Sequence, residues 1–110
     1  MSQTIINEAK LIREKDKSAI LDIKDMVIKY VPIGTPVAKA INRLKREGFE
    51  VTKGQLSLSD KKEFDETFVG IYKMGGPLSF FGFQDEIRIF LDIKNGIVVS
   101  VYGKIIYRSL

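Results

Sequence analysis

The sequence contains no histidine and no cysteine in 110 residues. These two side chains supply most proton transfer near neutral pH, most thiolate nucleophiles and most transition-metal ligands. Their absence restricts catalysis to carboxylate, lysine, tyrosine, serine/threonine or Mg²⁺ chemistry. No residue pattern singles out such a centre. We therefore expect a protein that is not an enzyme, holds no cofactor or metal, and acts by binding.

The sequence also lacks any apolar run close to the roughly 20 residues that a membrane-spanning helix needs. Residues 1–8 show no basic region followed by an apolar stretch, so no secretory signal is visible. The absence of cysteine excludes a disulfide framework and fits a reducing compartment. We expect a cytoplasmic protein that does not associate with membranes.

The length predicts one domain over residues 1–110. The net charge of +4 is uneven, because residues 1–62 hold 13 Lys/Arg and 8 Asp/Glu while residues 63–110 hold 5 and 6. Nucleic-acid-binding domains usually cluster their basic residues more densely on one face. The basic half is therefore interpreted as a solvated surface, and nucleic acid is not the expected partner.

The first half of the chain predicts three helices. Apolar residues at helical spacing, such as Ile5 and Ala9, predict a helix over residues 4–15. A second helix is predicted over residues 18–30 with Ser18 as its N-cap, and the β-branched content leaves a strand as the alternative. The third helix, over residues 36–47, has the clearest boundaries.

Thr35 is the predicted N-cap of the third helix, and Pro36 occupies its first position. Gly48 is placed to take the left-handed conformation just past the helix, which lets Phe49 fold back onto the last turn. The polar side of this helix is basic and could contact phosphates: Lys39, Arg43, Lys45 and Arg46.

The second half of the chain predicts antiparallel strands over residues 49–53, 67–74, 86–94 and 97–107. The Asn95-Gly96 pair predicts a type I′ hairpin turn, and Gly103 is a possible β-bulge. Helices followed by strands predict an α+β domain, with N-terminal helices packed on one face of an antiparallel four- to five-stranded meander sheet.

The segment 78–83 contains three phenylalanines, Phe80, Phe81 and Phe83. It predicts either a strand that fills the core or a protruding loop for protein binding. Phe80 and Phe81 would point to opposite faces of a strand, so one of them would need cover beyond the core. We predict that this segment and the surrounding carboxylates form a partner-binding surface: Asp60, Glu63, Asp65, Glu66, Asp85 and Glu86.

The organisation from Val31 to Tyr107 resembles the fold shared by the small outer-membrane lipoproteins of the SmpA/OmlA family and the repeats of β-lactamase-inhibitor protein. The resemblance is carried by the turn before the third helix (residues 33–37), the helix exit at Gly48-Phe49 and the late hairpin (residues 86–98). It covers about two-thirds of the chain. The lipobox cysteine of those lipoproteins is absent here.

Small cytoplasmic bacterial proteins of this size, without catalytic residues, resemble the immunity proteins of contact-dependent growth inhibition. That resemblance implies a heterodimer with a cognate toxin domain, for instance a nuclease, whose active site is occluded. Complementary charge would raise the association rate and buried aromatic side chains would supply affinity. The alternatives are a non-catalytic assembly or scaffold module and a nucleic-acid-binding regulator.

Overall fold

The computed structural model describes residues 4–16, 18–57, 63–74 and 84–108. It is an α+β structure in which three helices cover one face of an open, five-stranded antiparallel sheet, as predicted. The strand order is β1-β5-β4-β3-β2. The elements are α1 (Ile5–Lys15), β1 (Ile20–Asp22), α2 (Lys24–Tyr30), α3 (Val37–Arg46), β2 (Glu50–Lys53), β3 (Glu66–Lys73), β4 (Gln84–Lys94) and β5 (Ile97–Arg108).

The β4–β5 hairpin forms the centre of the sheet. Asn95 and Gly96 have φ angles of 54° and 75°, which confirms the predicted type I′ turn. Successive side chains of a strand point to opposite faces. The fully buried apolar side chains of β4 accordingly alternate along it and face the helices: Ile87, Ile89, Leu91 and Ile93.

The bulge of this hairpin lies near its turn and not at Gly103. The register shifts between Asp92, which pairs with Ser100, and Ile93, which pairs with Val98. The extra residue lets Val98 and Val101 both face the core although they are three positions apart. Gly103 serves a different purpose, because a Cβ atom there would lie 2.7 Å from Val27 Cγ2. Its lack of a side chain lets α2 approach the sheet.

The end of α3 is as predicted. Gly48 has a φ of 98°, and its N–H donates to the carbonyl of Lys45 at 3.0 Å. The N–H of Phe49 donates to the carbonyl of Leu44 at 3.0 Å, which completes a Schellman motif. Phe49 is buried, and its ring centroid lies 5.6 Å from that of Tyr72 on β3.

The start of α3 differs from the prediction, because Thr35 is not its N-cap. The Thr35 hydroxyl donates to the carbonyl of Pro32 at 2.6 Å, and no side chain caps the helix. The first helical N–H, that of Val37, donates instead to the carbonyl of Gly96 at 2.9 Å. The hairpin turn therefore satisfies a donor that a capping side chain would otherwise accept.

The predicted helix over residues 18–30 is also wrong in its first part, where Ile20–Asp22 form strand β1. This strand pairs with the end of β5, with Leu21 opposite Ile105. Helix α2 begins only at Lys24, whose N–H donates to Asp22 Oδ1 at 2.9 Å. Ser18 caps nothing, because its hydroxyl donates to Asp16 Oδ1. Local propensity allowed either a helix or a strand at residues 20–22, and pairing with the distant strand β5 favours the strand.

An ion pair ties α1 to the sheet. Arg13 is 7% exposed, and its Nε and Nη2 atoms lie 2.9 and 2.6 Å from Asp85 Oδ1 on β4. Arg13 also donates to the carbonyls of Asp16 and Ser18. The charge is therefore fully engaged inside the structure, which is the condition under which a buried cation is tolerated.

A second polar cluster joins the helices to one another. Glu8 on α1 accepts hydrogen bonds from the Tyr30 hydroxyl at 2.6 Å and from Lys29 Nζ at 2.9 Å. The hydrogen bond from Tyr30, followed by that from Lys29, lowers the pKa of Glu8. Burial, together with the neighbouring Glu8, raises the pKa of Tyr30 to about 12.

Arg43 of α3 belongs to the same cluster. Its guanidinium lies 5.2 Å from the centroid of the Tyr30 ring, and its Nε lies 3.0 Å from Glu47 Oε2. Glu47 also accepts from the N–H of Ile6 at the start of α1. Arg43 is thus part of the contacts between helices and not, as predicted, of an outward basic surface. None of the helices in the described residues is both long and apolar enough to cross a membrane.

We expect Gly103→Ala to lower the free energy of unfolding by about 1–3 kcal/mol, because the added Cβ atom overpacks the contact with Val27. Val27→Ala alone should cost about 2 kcal/mol through lost apolar burial. The loss of stability in the double variant should be smaller than the sum of the two single losses by at least about 0.5 kcal/mol, because Val27→Ala removes the clash. Urea unfolding measures all three, and strict additivity would contradict the close approach.

We expect the Glu8–Tyr30 contact to shape stability at both ends of the pH range. Because the pKa of Glu8 is lower in the folded than in the unfolded state, Glu8 stabilises the fold at pH values above the usual glutamate pKa. This contribution is lost as the pH falls through the pKa of Glu8 in the folded state. A raised pKa of Tyr30 stabilises it below pH 10.0, and this contribution is lost as pH rises towards about 12.

Urea unfolding at pH 7, 9.5 and 11 tests the alkaline limb. Tyr30→Phe should lose less stability between pH 9.5 and 11 than the wild type does. Tyr102→Phe, which removes a phenol from the other side of the sheet, should keep the wild-type loss. Equal losses in the wild type and Tyr30→Phe would show that the Glu8–Tyr30 contact does not set the pH dependence.

Candidate functional site on the uncovered sheet face

The helices pack on one face of the sheet and leave the second face without helical cover, although Glu86 near the start of β4 is buried on that second face. The register places Phe90 of β4 directly between Tyr102 of β5 and Val69 of β3 on this face. The next row along the strands aligns Lys104 with Arg88 and Ile71. The centre of the uncovered face is therefore aromatic and aliphatic, which is unusual for a sheet face exposed to water.

A groove of about 790 Å³ lies on this face. The turn after β2 and the segment before β3 form one side of it, and β1 and the centres of β4 and β5 form the rest. Its apolar lining includes side chains that are largely exposed, Ile20 at 66% and Tyr102 at 49%. The other apolar side chains that line this open-face groove are Leu56, Phe64, Val69 and Phe90.

Two lysines lie over the aromatic rings of the groove. Lys104 Nζ is 5.5 Å from the centroid of Phe90, and Lys24 Nζ is 5.0 Å from that of Tyr102. An ammonium over an aromatic face is attracted to the ring and keeps its hydration. These contacts explain how an aromatic sheet face stays in water, and a ligand that uses the rings has to share them with the ammonium groups or displace those groups.

Carboxylates outnumber ammonium groups along the groove. Asp22, Glu63 and Asp92 line it, against Lys104 in its lining and Lys24 over the Tyr102 ring. The molecule as a whole has the opposite bias, and the excess lies in the helices. Helices α1 to α3 carry nine Lys/Arg and three Asp/Glu, while the five strands carry six of each. The positive charge is thus concentrated on the layer that faces away from the groove.

The structure disperses the predicted acidic surface. Glu63 is exposed and lines the groove. Asp65 accepts from the N–H of Asn95 at 2.7 Å, so it holds the hairpin turn. Glu66 lies 4.0 Å from Lys53 on β2. Of these three acids, only Glu63 lines the groove.

Asp85 and Glu86, as neighbours on a strand, point to opposite faces. Asp85 is engaged by Arg13 beneath α1. Glu86 is 1% exposed, and Arg88 Nε lies 2.5 Å from its Oε2 atom. Glu86 is therefore buried, whereas Asp85 is partly exposed and already paired. The remaining predicted site residues, Asp60, Phe80, Phe81 and Phe83, lie outside the described residues, so their role stays a prediction.

The central groove residues were missed by the sequence analysis although a signal for them exists. On β4, the alternate side chains that point away from the core are mostly polar, and Phe90 lies among them between Arg88 and Asp92. Tyr102 likewise points away from the core on β5. A large aromatic residue in the polar phase of a strand either has cover on the second face or serves an interface. The cross-strand pairing of Phe90 with Tyr102 could not be derived without the register.

The outward side of α3 forms a second charged feature. Lys39, Lys45 and Arg46 are exposed, and Asn42 lies among them. No carboxylate in the described part of the chain lies within ion-pair distance of these three cations. We call Lys39, Asn42, Lys45 and Arg46 the α3 basic row.

Among the described residues, no group of three or more Asp or Glu side chains is arranged to hold a metal ion. No protein-family model, curated protein or solved structure matches the chain. The resemblance to the SmpA/OmlA fold and to immunity proteins therefore stays a prediction. The groove and the α3 basic row are the features from which function has to be argued.

We expect the groove side chains to contribute little to folding. Tyr102→Ala should lower the free energy of unfolding by less than about 1 kcal/mol, because half of the side chain is already in water. Ile105→Ala, three positions along β5 and fully buried, should cost about 2–5 kcal/mol. Urea unfolding measures both, and similar costs would show that Tyr102 belongs to the core.

Proposed function

We propose that this protein is a cytoplasmic immunity protein, which binds a cognate toxin domain and blocks its active site through the open-face groove. The observation that carries the proposal is the groove itself. Exposed apolar side chains in a concave surface have no role in holding the fold, and they match the aromatic anchors that dominate protein interfaces. The proposal adds Phe90 and Tyr102 to the interface predicted from the sequence, in which the Phe80–Phe83 segment stays a prediction.

The charge of the groove supports a basic partner. Asp22, Glu63 and Asp92 line the groove, and the excess of Lys/Arg lies on the helices of the other layer. A toxin nuclease is commonly basic around its substrate groove, because that groove holds phosphates, so the groove of this protein would meet complementary charge. The overall charge of +4 does not oppose this encounter at short range, since salt screens charges more than about 8–10 Å apart.

Two contacts in the groove favour a specific interface over non-specific hydrophobic association. Lys24 and Lys104 cover the aromatic rings in the free protein. A partner that inserts an arginine or lysine beside Tyr102 would take over that cation–π position, and Glu63, which lines the same groove, would add an attractive carboxylate. The expected interface is therefore an apolar centre with a charged rim.

The test starts with the toxin domain that copurifies with the tagged protein from its native host. Wild-type protein should bind this purified domain in a one-to-one complex and abolish its activity at equimolar concentration. Tyr102→Ala should weaken binding about 30-fold, the loss expected for an interface anchor worth about 2 kcal/mol. Glu63→Lys should slow association and make it less sensitive to salt.

Lys10→Ala is the matched control, because Lys10 is exposed on α1, away from the groove. It should bind and inhibit as the wild type does. The proposal fails if no toxin domain is recovered, or if Tyr102→Ala and Glu63→Lys inhibit as well as the control does. A stable complex only with further copies of this chain, or with an assembly factor, would favour the scaffold alternative.

A further inference from the structure

We infer that the α3 basic row binds the phosphate backbone of nucleic acid, without regard to base sequence. This inference is independent of the proposed toxin contact, because the row lies on the helix layer and the groove lies on the opposite face of the sheet. The row consists of Lys39, Asn42, Lys45 and Arg46, all exposed. Their spacing of three, six and seven positions from Lys39 places them along one side of the helix.

Helix stability does not account for the row. Cations in the last turn of a helix are stabilised by the negative end of its dipole, which explains Lys45 and Arg46. Lys39 lies near the start of α3, where the dipole disfavours a cation, and the first turn contains no acidic residue. A third cation at this position fits an external polyanion better than it fits the helix.

The neighbouring side chains leave these cations free to bind. Arg43 lies on the same helix but turns towards Glu47 and Tyr30, so Glu47 is already neutralised. Within the residues that the structure describes, the row has no carboxylate partner. The asparagine between the cations adds an amide donor for a phosphate oxygen.

The dimensions match a run of phosphates. Lys39 and Arg46 are seven residues apart, which is about 10 Å along a helix. A duplex strand places one phosphate about every 3.4 Å along its axis, so the row spans about three phosphates. No aromatic residue lies in the row, so base stacking and sequence readout are not expected. The predicted contact is purely electrostatic.

The salt dependence of binding gives the first test. Fluorescence anisotropy with labelled 24-nucleotide duplex DNA and single-stranded RNA is measured on the full chain between 20 and 80 mM salt. Neutralisation of three phosphates predicts a logarithmic slope of about −2.7 on the duplex, which is an affinity loss of about 40-fold over this range. A smaller slope, of about −2, is expected on the single strand.

Two charge-matched triple variants locate the contact. Lys39→Ala/Lys45→Ala/Arg46→Ala should weaken binding at least 10-fold and bring the slope close to zero. Lys10→Ala/Lys15→Ala/Lys94→Ala removes the same charge from exposed positions outside the row and should keep most of the wild-type affinity and slope. Circular dichroism verifies that both triple variants are folded.

Three results would overturn the inference. The first is no binding of either nucleic acid at 20 mM salt. The second is an equal loss in both triple variants, which would make net charge and not the row responsible. The third is tight binding of poly-glutamate by the row without binding of nucleic acid, which would assign the row to an acidic protein.

Discussion

The β4–β5 hairpin is the constraint on which the other contacts of the molecule depend. Its turn at Asn95-Gly96 does more than reverse the chain, because Gly96 accepts the first N–H of α3 and Asp65 accepts the N–H of Asn95. The buried isoleucines and leucine of β4 belong to the core face of the sheet, against which the helices pack. A two-residue turn that only positive φ angles allow thus sets the position of α3, of the start of β3 and of the core.

The same alternation that builds the core also creates the aromatic surface of the groove. Each buried apolar residue of β4 has a neighbour that points to the opposite face of the sheet. On that opposite face the hairpin places two aromatic residues, Phe90 and Tyr102. Positive charge has accumulated on the helix side, whereas carboxylates line the groove. The chain therefore offers two chemically distinct faces, one suited to a basic protein surface and one suited to a polyanion.

Elements with strong local signals were predictable from the sequence. The Gly48 helix exit, the hairpin turn and the core face of β4 each follow from chemistry within a few residues. Strand β1 was not predictable, because three residues gain their strand structure only by pairing with β5, far along the chain. The ion pair of Asp85 was not predictable for the same reason, since its partner Arg13 lies on a distant helix.

The pairing of β1 with β5 also sets the order in which the newly made chain can fold. Ile20 lies opposite Ile106, so strand β1 cannot pair with β5 until almost the whole described chain has left the ribosome. The β4–β5 hairpin, by contrast, closes through neighbouring residues and can form as soon as it is synthesised. Until then, the apolar side of α2 has no sheet to cover it. Synthesis therefore includes an interval in which the segments of all three helices have been made but have no sheet to stabilise them, so they remain exposed to chaperones and proteases.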